Sequence, residues 1–147
     1  MSNRMDMQEV YPQGYNAMLS LSKHIYSSKL SPTHHYLIQI RVSQINGCAF
    51  CLDMHTRDAR KAGETEQRIY TLNAWRDTSF FTPEEQAILA LSEEVTLIAK
   101  HVSDETYNHA VRLLGEEYVA AVILAIIAIN GWNRIAITTK LMPALEK

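Results

Sequence analysis

Apolar residues recur along the chain at helical spacing, and no alternating apolar and polar stretch is long enough to demand a sheet. Glycines and prolines fall mostly between these periodic segments, where they punctuate helices, leaving about seven helical pieces joined by short turns. The predicted fold is all-α, a compact helical bundle forming a single domain over residues 1–147. The first piece runs from about Tyr15 to Ser28. Ser31 and Pro32 supply a cap and a first helical position for the second, which ends near Asn46 and Gly47. A third opens at Cys48 and stops at Gly63, with Arg57, Arg60 and Lys61 near the negative end of its dipole. Thr65 to Arg76 makes a fourth. "FTPEEQ" then gives Thr82 as cap, Pro83 at the first position and Glu85 where a capping box needs it, opening a helix that reaches about Lys100. Ser103 or Asp104 caps the next piece. Gly115 separates that piece from a final helix over about Glu116 to Lys140, and Pro143 prevents further extension.

The longest apolar run, Val119 to Ile129, has eleven residues and is flanked by Glu116, Glu117 and Arg134. That is short of the ~20 needed to span a bilayer, so it reads as a core or interface helix and no membrane partner is expected. A chain of 147 residues can bury about two-thirds of its unfolded surface without a disulfide staple. Fourteen Lys and Arg against sixteen Asp and Glu give a net charge of -2 with no basic run, which removes the electrostatic footprint of a nucleic-acid binder. The N-terminal "MSNRMDMQEVYPQGYN" lacks the continuous apolar core of a signal peptide, and a cytoplasmic location is expected. Ordinary disulfides are kept reduced there, so two cysteines point to redox or metal chemistry.

Those two cysteines, three residues apart, lie in "SQINGCAFCLDMHTRDARKAG", with a histidine four residues beyond the second. At about 100° per residue, Cys51 falls about 60° from Cys48 around a helix and His55 projects between them. The spacing brings the two Cβ atoms to roughly 5–6 Å, close enough for a disulfide to open and close. Gly47 directly before Cys48 sets both sulfurs in the first turn, where unpaired N–H groups stabilise a thiolate. His55, one turn below Cys51, is placed to take its proton or to return one to a leaving group.

Cysteines are often simply packed in a core, but packing does not require a helix start and a histidine at one-turn spacing. Structural zinc takes four protein ligands where this stretch offers three, so no metal is expected. Haem attachment needs histidine directly after the second cysteine, where Leu52 stands.

"RVSQINGCAFCLDMHTRDARKAGE" resembles the core motif of the carboxymuconolactone decarboxylase superfamily, specifically its alkylhydroperoxidase D-like branch. "TPEEQAILALSEEVTLI", "HVSDETY" and "AIIAINGWNRIAITTK" are similar to the segments that follow in that branch, so the likeness runs from about residue 30 to 140. The resemblance implies an all-helical fold that associates into homotrimers or homohexamers, and a thiol-dependent peroxidase or disulfide-exchange activity without cofactor. It also implies the roles. Cys51 attacks the hydroperoxide, Cys48 resolves the sulfenic acid to a disulfide, His55 relays protons, and an unidentified dithiol or thioredoxin-like donor restores the thiols.

The family's relay includes a glutamate twelve residues before the first cysteine, and Tyr36 stands there. A phenol with pKa near ~10 is no carboxylate base at neutral pH, but it can hydrogen-bond a water or His55. Phe50, where the family often has a polar residue, makes the entrance more apolar. His34 and His35 are substitute proton carriers, although adjacent histidines early in a helix are more often exposed. His24, His101 and His109 read as surface or boundary residues, and Asn130, Trp132, Asn133 and Arg134 as packing around the cysteine helix or a subunit contact. Two other functions compete. One is lactone decarboxylation, whose family members do not rely on this cysteine pair; the other is an oligomeric module that senses redox state without turnover.

Overall fold

The computed structural model describes residues 4–146, so the first three residues and the last of the domain expected over 1–147 lie outside the described residues. Among the described residues there are eight α-helices and no strand. They are α1 (Met7–Val10), α2 (Pro12–Tyr26), α3 (Pro32–Asn46), α4 (Ala49–Lys61), α5 (Glu66–Tyr70), α6 (Pro83–Thr96), α7 (Asp104–Leu114) and α8 (Glu116–Thr139), with 3₁₀ turns at Leu72–Asp77 and Ile98–Lys100. The all-helical expectation holds, and most boundaries fall where capping chemistry put them. Ser31 and Ser103 accept hydrogen bonds from His34 N and Thr106 N, each at 3.2 Å. Thr82 and Glu85 form the reciprocal capping box at the start of α6.

Three boundaries differ. Pro12 occupies the first turn of α2, so that helix starts ahead of Tyr15, immediately after the short α1 that Asp6 caps. The piece expected from Thr65 to Arg76 breaks after Tyr70 into a 3₁₀ turn, in which Ala74 leaves helical geometry (φ -116°) while Trp75 donates its indole N–H to Glu93 at 2.9 Å. Glu93 also accepts from Arg41 at 2.9 Å and Arg76 at 2.6 Å, so a tertiary ion-pair node overrides local helix propensity. Helix α6 ends at Thr96, and the chain turns through His101, whose φ of 61° a regular helix does not admit.

Helix α3 is the centre of the bundle and packs against α4, α6 and α8. Leu37, Ile38, Ile40 and Val42 have no exposed surface, and His35, Gln39 and Ser43 are buried as well, so α3 is enclosed on most sides rather than along one apolar stripe. Ile38 and Val42 join α8 residues Val122, Ile126 and Ile129 in one cluster, while Leu37 and Ile40 join Leu72, Phe81 and Leu89 in another. Each such side chain contributes about 1.5–3 kcal/mol on burial.

Helix α8 corrects the length argument made from the eleven-residue apolar run. It has 24 residues, with a mean hydropathy of 1.7 over its most apolar window, and by length and composition it could cross a bilayer. Its packing is that of a core helix on one side, against α2, α3 and α6. Leu124, Ile127 and Ile137 on its other side are exposed.

A polar seam joins α8 to the end of α3. Asn46 donates to the side-chain oxygens of Asn130 and Asn133, each at 2.9 Å, and Asn133 donates to Ser43 Oγ at 3.0 Å. Asn133 and Ser43 have no exposed surface. Removing one member of a buried polar set strands its partners, which costs about 1–3 kcal/mol. Asn133→Ala should therefore lower stability by that amount in urea unfolding, while Arg134→Ala, an exposed neighbour, should change it by less than about 0.5 kcal/mol. Equal effects from the two variants would show that the seam does not hold α3 to α8.

Candidate active site

The corner between α3 and α4 fixes the cysteines. Gly47 adopts a left-handed conformation (φ 68°), and its N–H and that of Cys48 bond back to Gln44 O at 3.3 Å and Ser43 O at 3.1 Å. This crossed pair closes α3, and only one residue separates that helix from the cap of the next. Cys48 is itself the N-cap of α4, its sulfur accepting from Cys51 N–H at 3.3 Å. The two cysteines are joined as a disulfide with Cα atoms 5.4 Å apart, as their helical spacing allows. Both are buried.

A cavity of about 360 Å³ lies beside this bridge. Cys51 borders it and Cys48 does not. His55 enters from the next turn of α4, His35 and Gln39 from successive turns of α3, Tyr26 from the end of α2, and Trp132 from α8. Phe50 and Ile129 make much of the remaining wall apolar, so the apolar entrance expected at Phe50 is a cavity wall. The indole of Trp132 is fixed by an N–H bond to Ser22 Oγ at 2.8 Å and by the edge-on ring of Tyr15 at 5.2 Å.

The electrostatics of the cavity follow from exclusion of water. Burial lowers the pKa of His55 to about 4, with Asp58 opposing, and burial followed by the proximity of His55 lowers His35 to about 4. Both imidazoles are neutral at pH 7. The ring of His35 lies 4.7 Å from that of Tyr26.

Cys51 and His55 thus come together as the spacing predicted. Tyr36 does not join them. It follows His35 by one residue, about 100° around α3, and lines a separate groove with Arg68 and Glu85. Burial, then Tyr26 and Asp58, raise its pKa above the ordinary phenol value. His34 instead hydrogen-bonds Tyr118 through Nδ1 at 2.6 Å, while His24, His101 and His109 are exposed. The expectation that adjacent histidines sit outside fails for His35, which is buried because α3 is enclosed on nearly every side. Gln39 was missed altogether; its one-turn spacing from His35 was the available signal. Among the described residues, no three His, Cys, Asp or Glu side chains converge as a metal would require.

The family model described as the carboxymuconolactone decarboxylase family matches residues 12–94. The uncharacterized protein YdfG of Bacillus subtilis (strain 168) is 51% identical over 138 residues, covering 93% of this chain and 94% of that protein. A solved structure from Agrobacterium tumefaciens, of a protein of unknown function proposed to be the antioxidant defence protein AhpD, superposes with a TM-score of 0.95 at 33% identity, covering 99% and 100% of the two chains. The debrominase Bmp8 shares the fold at 24% identity, with a TM-score of 0.73 over 90% of this chain and 73% of its own. A helical bundle with a cysteine pair at a helix start defines the class, and the chain belongs to the carboxymuconolactone decarboxylase family, in its AhpD-like branch.

The two neutral histidines make stability depend on pH. Unfolded, each takes up a proton near its ordinary pKa of 6.5; folded, neither does until about pH 4. Their contribution is complete above about pH 6.5 and is lost as pH falls through about 4, on the order of 3 kcal/mol for each imidazole. Thermal unfolding followed from pH 7 to pH 4 should show this decline, and His55→Gln should flatten it. The same slope in wild type and variant would contradict a buried neutral His55.

Proposed function

We propose that the protein is a thiol-dependent peroxidase that reduces hydroperoxides through Cys51 and Cys48 in antioxidant defence. The observation that carries this reading is that Cys51, alone of the two sulfurs, shares an apolar cavity wall with a neutral imidazole, His55. The family membership and the proposed antioxidant role of the Agrobacterium protein support the same class of chemistry.

In the reduced state His55 accepts the Cys51 proton during the attack itself, as a general base that is neutral at rest. The thiolate attacks the distal oxygen of ROOH, the O–O bond breaks, and the proton goes to the departing alkoxide, giving ROH and a sulfenic acid on Cys51. The sulfur of Cys48 then attacks that sulfenic sulfur, a disulfide forms, and the hydroxyl leaves with the Cys48 proton as water. A thioredoxin-like dithiol in the cytoplasm gives up two electrons and two protons to restore both thiols, becoming a disulfide itself.

Cys51→Ser should abolish turnover of an organic hydroperoxide. Cys48→Ser should still give one equivalent of sulfenic acid by mass spectrometry with a sulfenic-specific trap. His55→Ala should slow Cys51 oxidation by roughly 10²–10⁴-fold in stopped flow, the usual worth of a positioned proton carrier. Tyr36→Phe, in the neighbouring groove, should change that rate little. Oxidation of Cys51 at the wild-type rate in His55→Ala would remove His55 from the mechanism.

We infer further that the chain works as a homotrimer or homohexamer. Support comes from the exposed Leu124, Ile127 and Ile137 on α8, an apolar surface suited to association. Light scattering at micromolar concentration should give three or six times the chain mass, and a monomeric mass would overturn this reading.

A further inference from the structure

Among the described residues, two buried side-chain polar atoms have no hydrogen-bond partner, Gln39 Oε1 and His55 Nδ1, and both side chains line the cavity that holds Cys51. Gln39 is 6% exposed and His55 5%, so water supplies little compensation. Buried polar atoms in folded proteins are nearly always paired, and two unpaired atoms on side chains that line one cavity call for a cause.

The geometry narrows the cause. Gln39 Nε2 donates to Tyr26 Oη at 3.3 Å, which commits the amide nitrogen and leaves its oxygen as an unused acceptor. His55 is neutral and carries one N–H and one lone pair. The rest of the wall, including Phe50, Ile129 and Trp132, offers bulk and little polarity. At about 360 Å³ the space falls within the roughly 300–1,000 Å³ range of small-molecule sites.

We propose that Gln39 is the substrate-orienting residue of this cavity, its Oε1 accepting the hydrogen bond of a hydroxyl or hydroperoxyl group on an otherwise apolar ligand. The inference rests on the peroxidase reading for its catalytic meaning. A hydroperoxide carries its single donor proton on the distal oxygen, the atom a thiolate attacks. Holding that proton on Gln39 fixes the distal oxygen in the cavity beside Cys51, while the proximal oxygen remains free to accept from His55. Trp132, Phe50 and Ile129 enclose the organic group. Tyr26 keeps the amide in the sense that presents oxygen to the ligand.

The test uses ligands that cannot react. The oxidised, disulfide-bonded protein is titrated with cumyl alcohol and, separately, with cumene, which has the same hydrocarbon shape and no hydroxyl, and the indole N–H resonance of Trp132 is followed by NMR. Wild type should bind the alcohol more tightly than cumene. Gln39→Met should lose about tenfold in alcohol affinity, the usual worth of one hydrogen bond, and none in cumene affinity. Tyr26→Phe, at an exposed position where folding is not at risk, should weaken alcohol binding by a smaller factor and leave cumene unchanged. Unchanged alcohol affinity in Gln39→Met, or equal losses for both ligands, would overturn the assignment, as would unchanged alcohol affinity in Tyr26→Phe. Because no turnover is measured, the outcome is separate from the peroxidase assay: alcohol selectivity that depends on Gln39 in a protein inactive toward hydroperoxides would refute the peroxidase reading and keep the binding site.

Discussion

The corner at Gly47 is the constraint on which the site depends. Helix α3 ends here, and its last carbonyls have no partner in a continuing helix and must be satisfied by other means. The left-handed residue and the crossed bonds from Gly47 and Cys48 do this within two positions. Any side chain at Gly47 would meet backbone strain of about 1–2 kcal/mol, although the surrounding space is open. Cys48 therefore belongs to two helices at once, closing α3 with its N–H and capping α4 with its sulfur. The asparagines of α8 hold the same corner from outside, since Asn133 binds the side chain of Ser43, whose carbonyl accepts from Cys48. The cysteine pair is thus fixed by a turn, a cap and a long helix that meet at one place.

Two electrostatic regimes sit on opposite faces of α3. On the face toward the cysteines, burial holds His35 and His55 neutral, outweighing the opposing charge of Asp58 on His55. On the other, Arg68 bridges Glu64 and Glu85 at 2.9 Å to each, and Glu85 also completes the capping box of α6. Charge is retained there because each ion has partners, and the resulting node joins α5 to α6. One residue step along α3 moves a side chain from the first regime to the second. That step separates His35 from Tyr36 and makes the neutral imidazole, not the phenol, the neighbour of His55.

The parts of the fold that were legible in the sequence are those set by local chemistry. Ser31 with Pro32, the Thr82 and Glu85 box, Gly47 before Cys48, and the one-turn spacing of Cys51 and His55 act over four residues or fewer, and all four took the predicted form. The illegible parts were set at a distance. The break after Tyr70 accompanies the bond from Trp75 to Glu93, 18 positions away, which no propensity in the segment reports. Two adjacent histidines early in a helix predict an exposed His35; its burial comes from the ring of Tyr26 at the end of α2 and from the cavity wall it shares with α4. The cavity draws on four helices, so no single stretch contained it.

Burial of the sulfurs has a chemical consequence that the helix start must offset. Removing a thiolate from water raises its pKa, whereas the unpaired N–H groups and dipole of α4 lower it. The sulfur of Cys48 occupies the cap position and accepts from the backbone at Cys51. Cys51 alone of the two borders the cavity and has His55 one turn away. In the proposed mechanism these unequal positions divide the labour. Access and a neutral base make Cys51 the sulfur that meets the hydroperoxide, and the cap holds Cys48 beside it, so that a sulfenic acid formed in an apolar cavity is captured before a second peroxide can reach it.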